Sequence, residues 1–381
     1  MKWKPLSLAL LGAIACTGTA KAELPLTEVG GFKVGLEGLL QADGNWFNND
    51  RVDLNGGGSG DGDDSEFGVR RAEVVLKGKG KRLDFAFGYD FEGEKWLDAY
   101  LKWKLDFAAL SLGQYKQPLG MEELSSSKYN DFISKSLATN LFAPGRRLGV
   151  GASRDFADWG YQLSAFSREL TRNRAHGNGY AGRAYWRPMV GEQGYLHLGA
   201  SAISSDTDGD LARLRARPGA DFATVRLIDS GTLSNTDSLS GYGLEALWVQ
   251  GPWKLQGEYL AGTIDRYSAP GVSAADYDAS AWYISGMWNL TGESWGYKAG
   301  TPSQSTNDDA FGLWQIGLRY DAADLDDGSV LGGDAEHLSV GVNWYWKSNV
   351  RVSLNYVDVQ TDRRGLSDDP SITEARVQLY W

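Results

Sequence analysis

Three arginines at a spacing of two could bind a negatively charged partner. Arg213, Arg215 and Arg217 (the arginine triplet) lie in the stretch LARLRARPG. Arginine stays charged at neutral pH, and its planar, paired N–H donors fit the oxygens of phosphate and carboxylate groups. If this stretch is extended, a period of two places all three guanidinium groups on one side. The alternative is an ordinary basic loop in solvent.

A second pair, Arg70 and Arg71, lies in FGVRRAEVVLKG, which has the pattern of a β-strand. Neighbouring residues of a strand point to opposite faces, so one of the two charges would lie on the apolar face. A β-bulge would turn both arginines the same way. Alternatively, one of them packs at a subunit contact, or only one faces the polar side while its neighbour snorkels.

Other patterns that carry chemistry are weak. His176, His197 and His337 form no HExxH or similar ligand spacing, and the sequence has neither a G-x-S-x-G motif nor a P-loop. The stretches 56–64 and 206–210 resemble calcium loops only loosely, because no bidentate glutamate follows at the required spacing. We therefore predict no enzyme activity, no cofactor and no metal site, and interpret both stretches as acidic loops that contact lipopolysaccharide.

The first residues have the composition of an export signal. In MKWKPLSLALLGAIACTGTAKA, two lysines precede a short apolar run, and an A-x-A pattern ends before Glu23. The alternative is a lipoprotein signal at Cys16, although Ala13 stands where a leucine is expected. Cys16 is the only cysteine, so the exported chain would contain no disulfide. We predict a signal peptide over 1–22 and a single domain over 23–381.

The overall composition narrows the class of protein. The chain has 49 acidic and 38 basic residues, and this net negative charge argues against nucleic acid as a partner. Glycine, tryptophan and tyrosine are abundant, mean hydropathy is −0.37, and the exported part has no apolar run long enough for a transmembrane helix. These properties fit an outer-membrane β-barrel, because its strands need only every second residue apolar.

A period of two runs through the C-terminal third. In HLSVGVNWYW (337–346), every second residue from Leu338 is apolar, and GLWQIGLRY, NVRVSLNY and ITEARVQLYW repeat the pattern. The apolar faces end in Trp and Tyr, which favour membrane interfaces. We therefore predict that the apolar faces contact lipid and the polar faces line a watery lumen. The aromatic Trp381 at the end of the last strand is typical of bacterial outer-membrane proteins.

Sixteen such segments occur, an even number, as closure of an antiparallel barrel requires. The predicted fold is therefore all-β, a transmembrane antiparallel β-barrel of about 16 strands. The predicted strands are 31–43, 67–78, 82–91, 96–105, 107–115, 147–155, 158–168, 179–188, 194–205, 240–250, 253–264, 280–291, 310–321, 336–347, 349–359 and 372–381. Short turns are expected at 79–81, 156–157, 251–252 and near Ser348, and long external loops at 47–66, 116–146, 206–239, 265–279, 322–335 and 360–371. Segment 292–309 is a long connection on the short-turn side, an exception that the pattern does not explain.

Several strings in order resemble the phosphate-selective porin O and P family. They are FGVRRAEVVLKG, GQYKQPLGMEELSSSKYNDF, APGRRLGV, NLTGE, LSVGVNWYW and VRVSLNYV. The resemblance runs from Gly31 to Trp381. It implies a trimer of sixteen-stranded barrels, in which a third external loop folds inward and narrows each pore. It also implies passive diffusion of anions, above all phosphate, along a ladder of arginines.

The resemblance also implies roles for individual residues. The arginine triplet matches the ladder that the family hangs into the vestibule, and Asp98 matches an acid beside the bound ion. Residues that match the family's anion-binding constriction are Arg70, Arg71, Ser126, Ser127, Lys128 and Lys135. Two positions depart from the pattern: Glu123 stands where phosphate-specific members place a lysine, and Glu73 where they place a tyrosine. Lys116 lies near the same throat and would pair with one of these acids.

We therefore expect a bacterial outer-membrane porin for small anions, phosphate or related oxyanions. Since Glu123 puts strong phosphate selectivity in doubt, the alternative is a weakly selective porin for other or larger acidic solutes. A barrel enzyme would need a His-Ser or Asp-His arrangement, which three scattered histidines do not favour. A structural or adhesive barrel would not explain the polar third loop. Expected partners are small anions, outer-membrane lipid, lipopolysaccharide and further copies of the chain in a homotrimer, without nucleic acid.

Overall fold

The computed structural model describes residues 23–56, 64–171, 177–269, 274–304, 311–347 and 349–381. The predicted signal peptide, residues 1–22, lies outside the described residues. Two short helices occur in these ranges, α1 (Met121–Leu124) and α2 (Leu137–Phe142). Neither of these two described helices is long and apolar enough to cross a membrane.

The remaining elements of the described chain are β-strands. They are β1 (Leu24–Val29), β2 (Phe32–Asn48), β3 (Ser65–Lys79), β4 (Leu83–Asp90), β5 (Lys95–Lys104), β6 (Ala109–Lys116), β7 (Arg146–Asp155), β8 (Trp159–Phe166), β9 (Gly179–Val190), β10 (Gly194–Asp206), β11 (Leu211–Ala212), β12 (Arg215–Ala216), β13 (Ile228–Asp229), β14 (Leu233–Ser234), β15 (Thr236–Gln250), β16 (Trp253–Arg266), β17 (Tyr277–Asn289), β18 (Gly296–Lys298), β19 (Thr301–Ser303), β20 (Leu313–Asp327), β21 (Val330–Trp346), β22 (Val350–Arg363), β23 (Leu366–Asp368) and β24 (Ser371–Tyr380).

One sheet of 18 strands contains all the long strands and two short ones, β1 and β23, which pair with β2 and β22. The other sixteen form a closed antiparallel barrel, in which the last strand, β24, pairs with the first, β2. Leu39 lies opposite Tyr380 at one end of that closing ladder, and Asn48 lies opposite Ser371 at the other. Closure leaves no open sheet edge in the membrane. The predicted sixteen-stranded antiparallel barrel is confirmed.

Burial along the strands is inverted relative to a water-soluble protein. In β21, His337 and Ser339 are at most 2% exposed, whereas Leu338 and Val340 are 43% and 42% exposed. Polar side chains therefore fill the interior, and apolar side chains cover the outside. Such an outer surface is stable in contact with hydrocarbon and not with water.

Tryptophan side chains lie on the outer face of the barrel near its short-turn end. Trp253 and Trp288 stack with their centroids 4.8 Å apart, and Trp314 and Trp344 stack at 5.6 Å. Trp253, Trp288 and Trp314 are between about a third and a half exposed. Outward-facing aromatic rings at strand ends are typical of the membrane–water interface of a barrel.

Connections alternate between the two ends of the barrel because successive strands run in opposite directions. The predicted long connection at 322–335 is wrong: β20 and β21 continue to Asp327 and Val330, and two residues join them. The aspartates near these strand ends gave the sequence the composition of a loop, yet Asp324 on β20 lies opposite Asp334 on β21 in the sheet. The predicted loop at 360–371 is also shorter, because β22 extends to Arg363 and pairs with β23.

The connection between β17 and β20, which the strand pattern could not explain, is long as predicted. Its described part, residues 290–304, contains the hairpin of β18 and β19. Tyr195 on β10 donates a hydrogen bond to the carbonyl of Gly296 at 2.9 Å, and His197 Nδ1 lies 2.7 Å from the Tyr297 hydroxyl. Since both wall residues are buried, this hairpin packs against the interior side of the wall.

Candidate functional site

The third connection at the long-loop end, residues 117–145, is hereafter the third loop. After β6 ends at Lys116, the loop turns at Gly120, whose φ of +78° lies in the region that favours glycine. Leu119, Leu137 and Leu141 are then buried in one apolar cluster with wall residues that include Leu260. Apolar packing therefore anchors both halves of a loop whose other residues are largely polar.

Side chains of the barrel wall accept hydrogen bonds from the third loop's backbone. The Glu258 carboxylate accepts from the N–H groups of Met121 at 2.6 Å and Glu122 at 2.7 Å. Two further wall acceptors are Asn355, at 2.8 Å from the N–H of Ile133, and Asp321, at 3.0 Å from that of Leu137. These bonds satisfy backbone donors that would otherwise be buried at a cost of about 1–3 kcal/mol each.

Wall arginines bind the carbonyl groups of the same loop. Their donations go from Arg351 to Asn130 at 2.6 Å, from Arg319 to Ser134 at 2.9 Å and from Arg376 to Ile133 at 3.1 Å. Together with the acceptors, these residues lie on β16, β20, β22 and β24. Around the closed sheet, those strands are far from β6 and β7, between which the third loop begins and ends.

Five charged residues meet where the third loop leaves and rejoins the wall. In this throat cluster, Lys116 donates to the backbone carbonyl of Glu123, and the Lys135 ammonium forms an ion pair with the Glu123 carboxylate. Arg146 Nε donates to Asp98 Oδ1 at 2.7 Å. Three basic side chains therefore face two carboxylates, and the structure brings together the predicted residues Lys116, Glu123, Lys135 and Asp98.

Glu123 remains ionised within this cluster. The residue is 7% exposed, and burial alone would raise the pKa of its carboxyl group. The ammonium groups of Lys135 and Lys116 outweigh burial and hold the pKa of Glu123 at about 2. At neutral pH its negative charge therefore cancels most of the field of one cation.

The predicted Ser126, Ser127 and Lys128 occupy the tip of the third loop. Ser126 is exposed and Ser127 is half-buried. The Lys128 ammonium donates to the carbonyl of Trp381 at 3.2 Å and lies 3.4 Å from a Glu37 carboxylate oxygen. Lys128 thus holds the loop tip to the closing strands, and it shares the Glu37 carboxylate with Lys77, whose ammonium lies 2.6 Å from it.

A β-bulge resolves the problem posed by the adjacent Arg70 and Arg71. In the pairing of β2 with β3, Gln41 lies opposite Arg71, whereas the next residue, Ala42, lies opposite Val69. Arg70 is the extra residue at this shift of register. The bulge, one of the predicted alternatives, lets both arginines reach carboxylates on the polar side.

Each of the two arginines has an acidic partner. Arg70 contacts the carboxylate of Asp221 with Nε at 2.8 Å and Nη2 at 3.0 Å. Arg71 Nη1 lies 3.3 Å from Glu73, the residue that stands where the resemblance implies a tyrosine. The sequence pattern had no signal for Asp221, which lies in the connection between β10 and β15.

The arginine triplet lies in that same connection, residues 207–235, and Arg215 belongs to the short strand β12. Arg213 and Arg215 are exposed and Arg217 is half-buried, while the residues between them are buried. Arg213 binds Asp229 with Nε at 2.7 Å from the carboxylate. Among the described residues, no carboxylate lies within ion-pair distance of Arg215.

Sequence reasoning missed two arginines: Arg226, which lies near the arginine triplet, and Arg146 of the throat cluster. Burial and the guanidinium groups of Arg217 and Arg215 lower the pKa of Arg226 to about 10, which indicates a locally positive potential. Arg226 stands alone in the sequence and gave no signal. Arg146, in contrast, belongs to the string APGRRLGV, and its adjacent arginines were a signal that could have been used.

The family comparison matches nearly the whole barrel. A family model described as phosphate-selective porin O and P matches residues 40–381. A protein of Caulobacter vibrioides described as uncharacterized is 28% identical over 318 residues, which cover 76% of this chain and 62% of the relative. Porin O of Pseudomonas aeruginosa is 28% identical over 290 residues, which cover 67% of this chain and 65% of that protein. The chain spans slightly less than two thirds of the length of these curated relatives.

A solved structure has the same fold. The outer membrane channel DcaP of Acinetobacter baumannii superposes with a TM-score of 0.61 at 12% identity, covering 94% of this chain and all of that one. At this identity the similarity establishes the barrel architecture and nothing further.

Proposed function

The chain belongs to the phosphate-selective porin O and P family, and from this membership we propose that it forms a water-filled channel for small anions. Phosphate or related oxyanions would diffuse passively through it across the bacterial outer membrane. The family and the closed barrel with an apolar exterior support this location and a channel rather than an enzyme. The observation that carries the proposal is the group of basic side chains on or beside the connections, the exposed Arg213 and Arg215 and those of the throat cluster, within a barrel whose wall anchors a long loop.

The third loop is the proposed constriction. Its backbone is hydrogen-bonded to wall side chains on strands remote from β6 and β7, as Glu258 at Met121 and Arg351 at Asn130 illustrate. A loop that starts on one side of a closed ring and is bound to the other side must cross the lumen. Because both N–H groups and carbonyl groups of the loop backbone are bound to the wall, the width of the opening would stay constant, as a passive channel requires.

The proposed anion path begins at the arginine triplet and Arg226 and continues to Arg70 and the throat cluster. Exposed guanidinium groups attract anions toward the constriction, and a net positive throat favours their passage over that of cations. Lys135 and Arg146 would supply the charge at the narrowest part. Asp98 and Glu123 would limit the time for which an anion stays bound.

A second candidate function, weakly selective passage of other or larger acidic solutes, is favoured by the pairing of charges. Lys135 has Glu123, Arg146 has Asp98 and Arg70 has Asp221 as ion-pair partner. Paired cations attract a solute less strongly than free ones. We propose an anion preference without tight phosphate binding.

From family membership and the sequence we make three further proposals about this chain. These are assembly as a homotrimer, contacts with outer-membrane lipid and lipopolysaccharide, and export through a signal peptide over residues 1–22. The apolar outer face supports contact with lipid, because about half of the area of residues such as Leu354 is exposed there (53%).

Liposome swelling tests the proposed function. Liposomes containing the purified barrel should swell faster in an isotonic solution of an anionic sugar acid than in one of a cationic amino sugar of similar size. Liposomes without protein supply the baseline. Swelling at the baseline rate in both solutes would contradict the channel, and faster swelling in the cationic solute would contradict the anion preference.

A further inference from the structure

Three guanidinium groups converge on one carboxylate in the barrel interior. Arg70 binds Asp221 through two nitrogens, at 2.8 Å and 3.0 Å. Arg376 Nη2 lies 3.5 Å from the same carboxylate, and Arg217 Nη1 lies 3.9 Å from it. Two-point binding of an oxygen pair by arginine, supported by further guanidinium groups, is the geometry in which proteins hold phosphate and carboxylate ligands. We call Arg70, Arg217 and Arg376 the guanidinium site.

Asp221 is held in this site by its neighbours in the chain. Ala220 and Ala223 are each 1% exposed and pack in an apolar cluster with wall residues, and Phe222 packs against the same cluster. The N–H of Phe222 also donates to Asn45 on β2 at 3.3 Å. Because the residues on both sides of Asp221 are anchored, its carboxylate is a fixed part of the interior.

Arg376 already binds another carboxylate, so Asp221 mainly serves Arg70. Arg376 binds Asp43 through two nitrogens at 2.7 Å and 2.6 Å. Among the described residues, no other carboxylate lies within ion-pair distance of Arg70. The guanidinium groups outweigh burial and hold the pKa of Asp221 below its ordinary range, so it is ionised at neutral pH.

The guanidinium site is open to solutes at Arg70 and Arg217, whereas the Arg376 side chain is only 5% exposed. The side chains of Arg70, Arg217 and Asp221 are 24%, 39% and 19% exposed. Arg217 also ends the arginine triplet, so the site follows directly on the exposed guanidinium groups at which we propose that anions enter. An anion that moves along the triplet would therefore meet a site whose oxyanion position is already filled.

We propose that Asp221 is a resident counter-anion: its carboxylate occupies an oxyanion-binding site formed by Arg70, Arg217 and Arg376 and thereby withholds that site from the solute. This inference rests on the proposed channel function and deepens it, because it names a residue that sets selectivity. The ligand class of the vacated site is a small oxyanion, inorganic phosphate or a carboxylate. With Asp221 present, the chain passes anions without binding them tightly.

The first test is phosphate block of chloride current in planar bilayers. Asp221→Asn keeps the shape of the residue and removes its charge, and Asp210→Asn makes the same change of charge at an exposed position of the same connection. We expect the half-blocking phosphate concentration to fall by about tenfold in D221N, as when one charge-assisted contact is freed. D210N should behave like the wild type. Equal half-blocking concentrations in D221N and D210N would overturn the inference.

The second test does not depend on transport and applies even if D221N conducts poorly. Inorganic phosphate should raise the thermal unfolding temperature of the Asp221→Ala barrel in detergent, because a ligand of the folded state stabilises it. The wild type and Asp210→Ala should show no comparable shift. A phosphate shift of the same size in all three proteins would contradict the vacated site. A cation-selective wild type would instead refute the proposed function. The phosphate-induced shift in unfolding temperature would still test the vacated site on its own.

Discussion

Neutralising Glu123 is predicted to make the channel more anion-selective. In the structure its carboxylate is 7% exposed, paired with Lys135 and close to Lys116, within a cluster of three cations and two acids. Glu123→Gln preserves size and hydrogen-bonding capacity while removing one negative charge. The cluster would then carry three cations against Asp98 alone, and the Lys135 ammonium would be available to the solute.

The magnitude follows from the position of the lost charge. A univalent anion held at Lys135 would lie about 4 Å from the former carboxylate, where one unit charge contributes about 1 kcal/mol in bulk water and about 4 kcal/mol near a protein surface. The lower figure already changes a population by about fivefold. We therefore expect the chloride-to-potassium permeability ratio to rise by at least about fivefold in E123Q.

Reversal potentials of single channels in a potassium chloride gradient measure this ratio. Glu92→Gln is the matched control, since it makes the same change of charge at an exposed residue of another long-loop-end connection. Heat-modified migration of both variants on gels confirms that the barrel is folded. If E123Q and E92Q shift the reversal potential equally, the Glu123 carboxylate does not act on the permeating ion and the reasoning is refuted.

Three further predictions concern acid stability, the vestibule and the third loop. The pKa of Glu123 lies at about 2, below its ordinary 4.5. The ionised carboxylate therefore contributes about 3 kcal/mol to the free energy of unfolding, fully above pH 4.5, and this contribution is lost as pH falls through 2. Denaturant titrations should show this loss of stability in acid for the wild type and not for E123Q. Arg215→Ala should lower the chloride-to-potassium permeability ratio about twofold, and Arg213→Ala less, since Asp229 already balances Arg213. Glu258→Ala should lower the free energy of unfolding by about 2–4 kcal/mol and increase open-channel current noise, because two N–H groups of the third loop lose their acceptor.

Each of these predictions has a contradicting result. An identical acid limb in E123Q would mean that other carboxyl groups control acid unfolding. A larger loss of selectivity in R213A than in R215A would show that ion pairing with Asp229 does not reduce the contribution of Arg213 to anion selectivity. A Glu258→Ala channel with wild-type noise and stability would mean that the third loop is held without this residue, and Glu258→Gln, which keeps one acceptor, is its control.

The barrel could be predicted from the sequence because one physical constraint repeats in every strand. Lipid on one side and water on the other enforce a period of two, and His337, Leu338, Ser339 and Val340 show that alternation in both sequence and burial. The prediction of a long loop at 322–335 was wrong because polar residues there belong to strands. At the long-loop end of β20 and β21 the alternation is reversed, because Ala323 and Leu325 are buried on the inside and the aspartates are exposed. Asp324 and Asp334 were therefore predicted as loop residues although they are paired.

The site was predictable only in part, because distant segments form it. The period of the arginine triplet and the adjacent Arg70 and Arg71 are local patterns. In the structure the triplet alternates with buried residues, and a bulge, one of the alternatives that the sequence left open, lies at Arg70. The partner of Arg70 is 151 residues away in the chain, at Asp221. No local pattern predicts that contact, since it depends on how the connection between β10 and β15 packs inside the closed barrel.

The reversal potential of the wild-type channel in a potassium chloride gradient tests the central claim most directly. Paired cations around a net positive throat predict an anion-selective potential that falls well short of the limit for an ideally anion-selective pore. A zero or cation-selective potential, or the absence of stepwise conductance, would contradict the account.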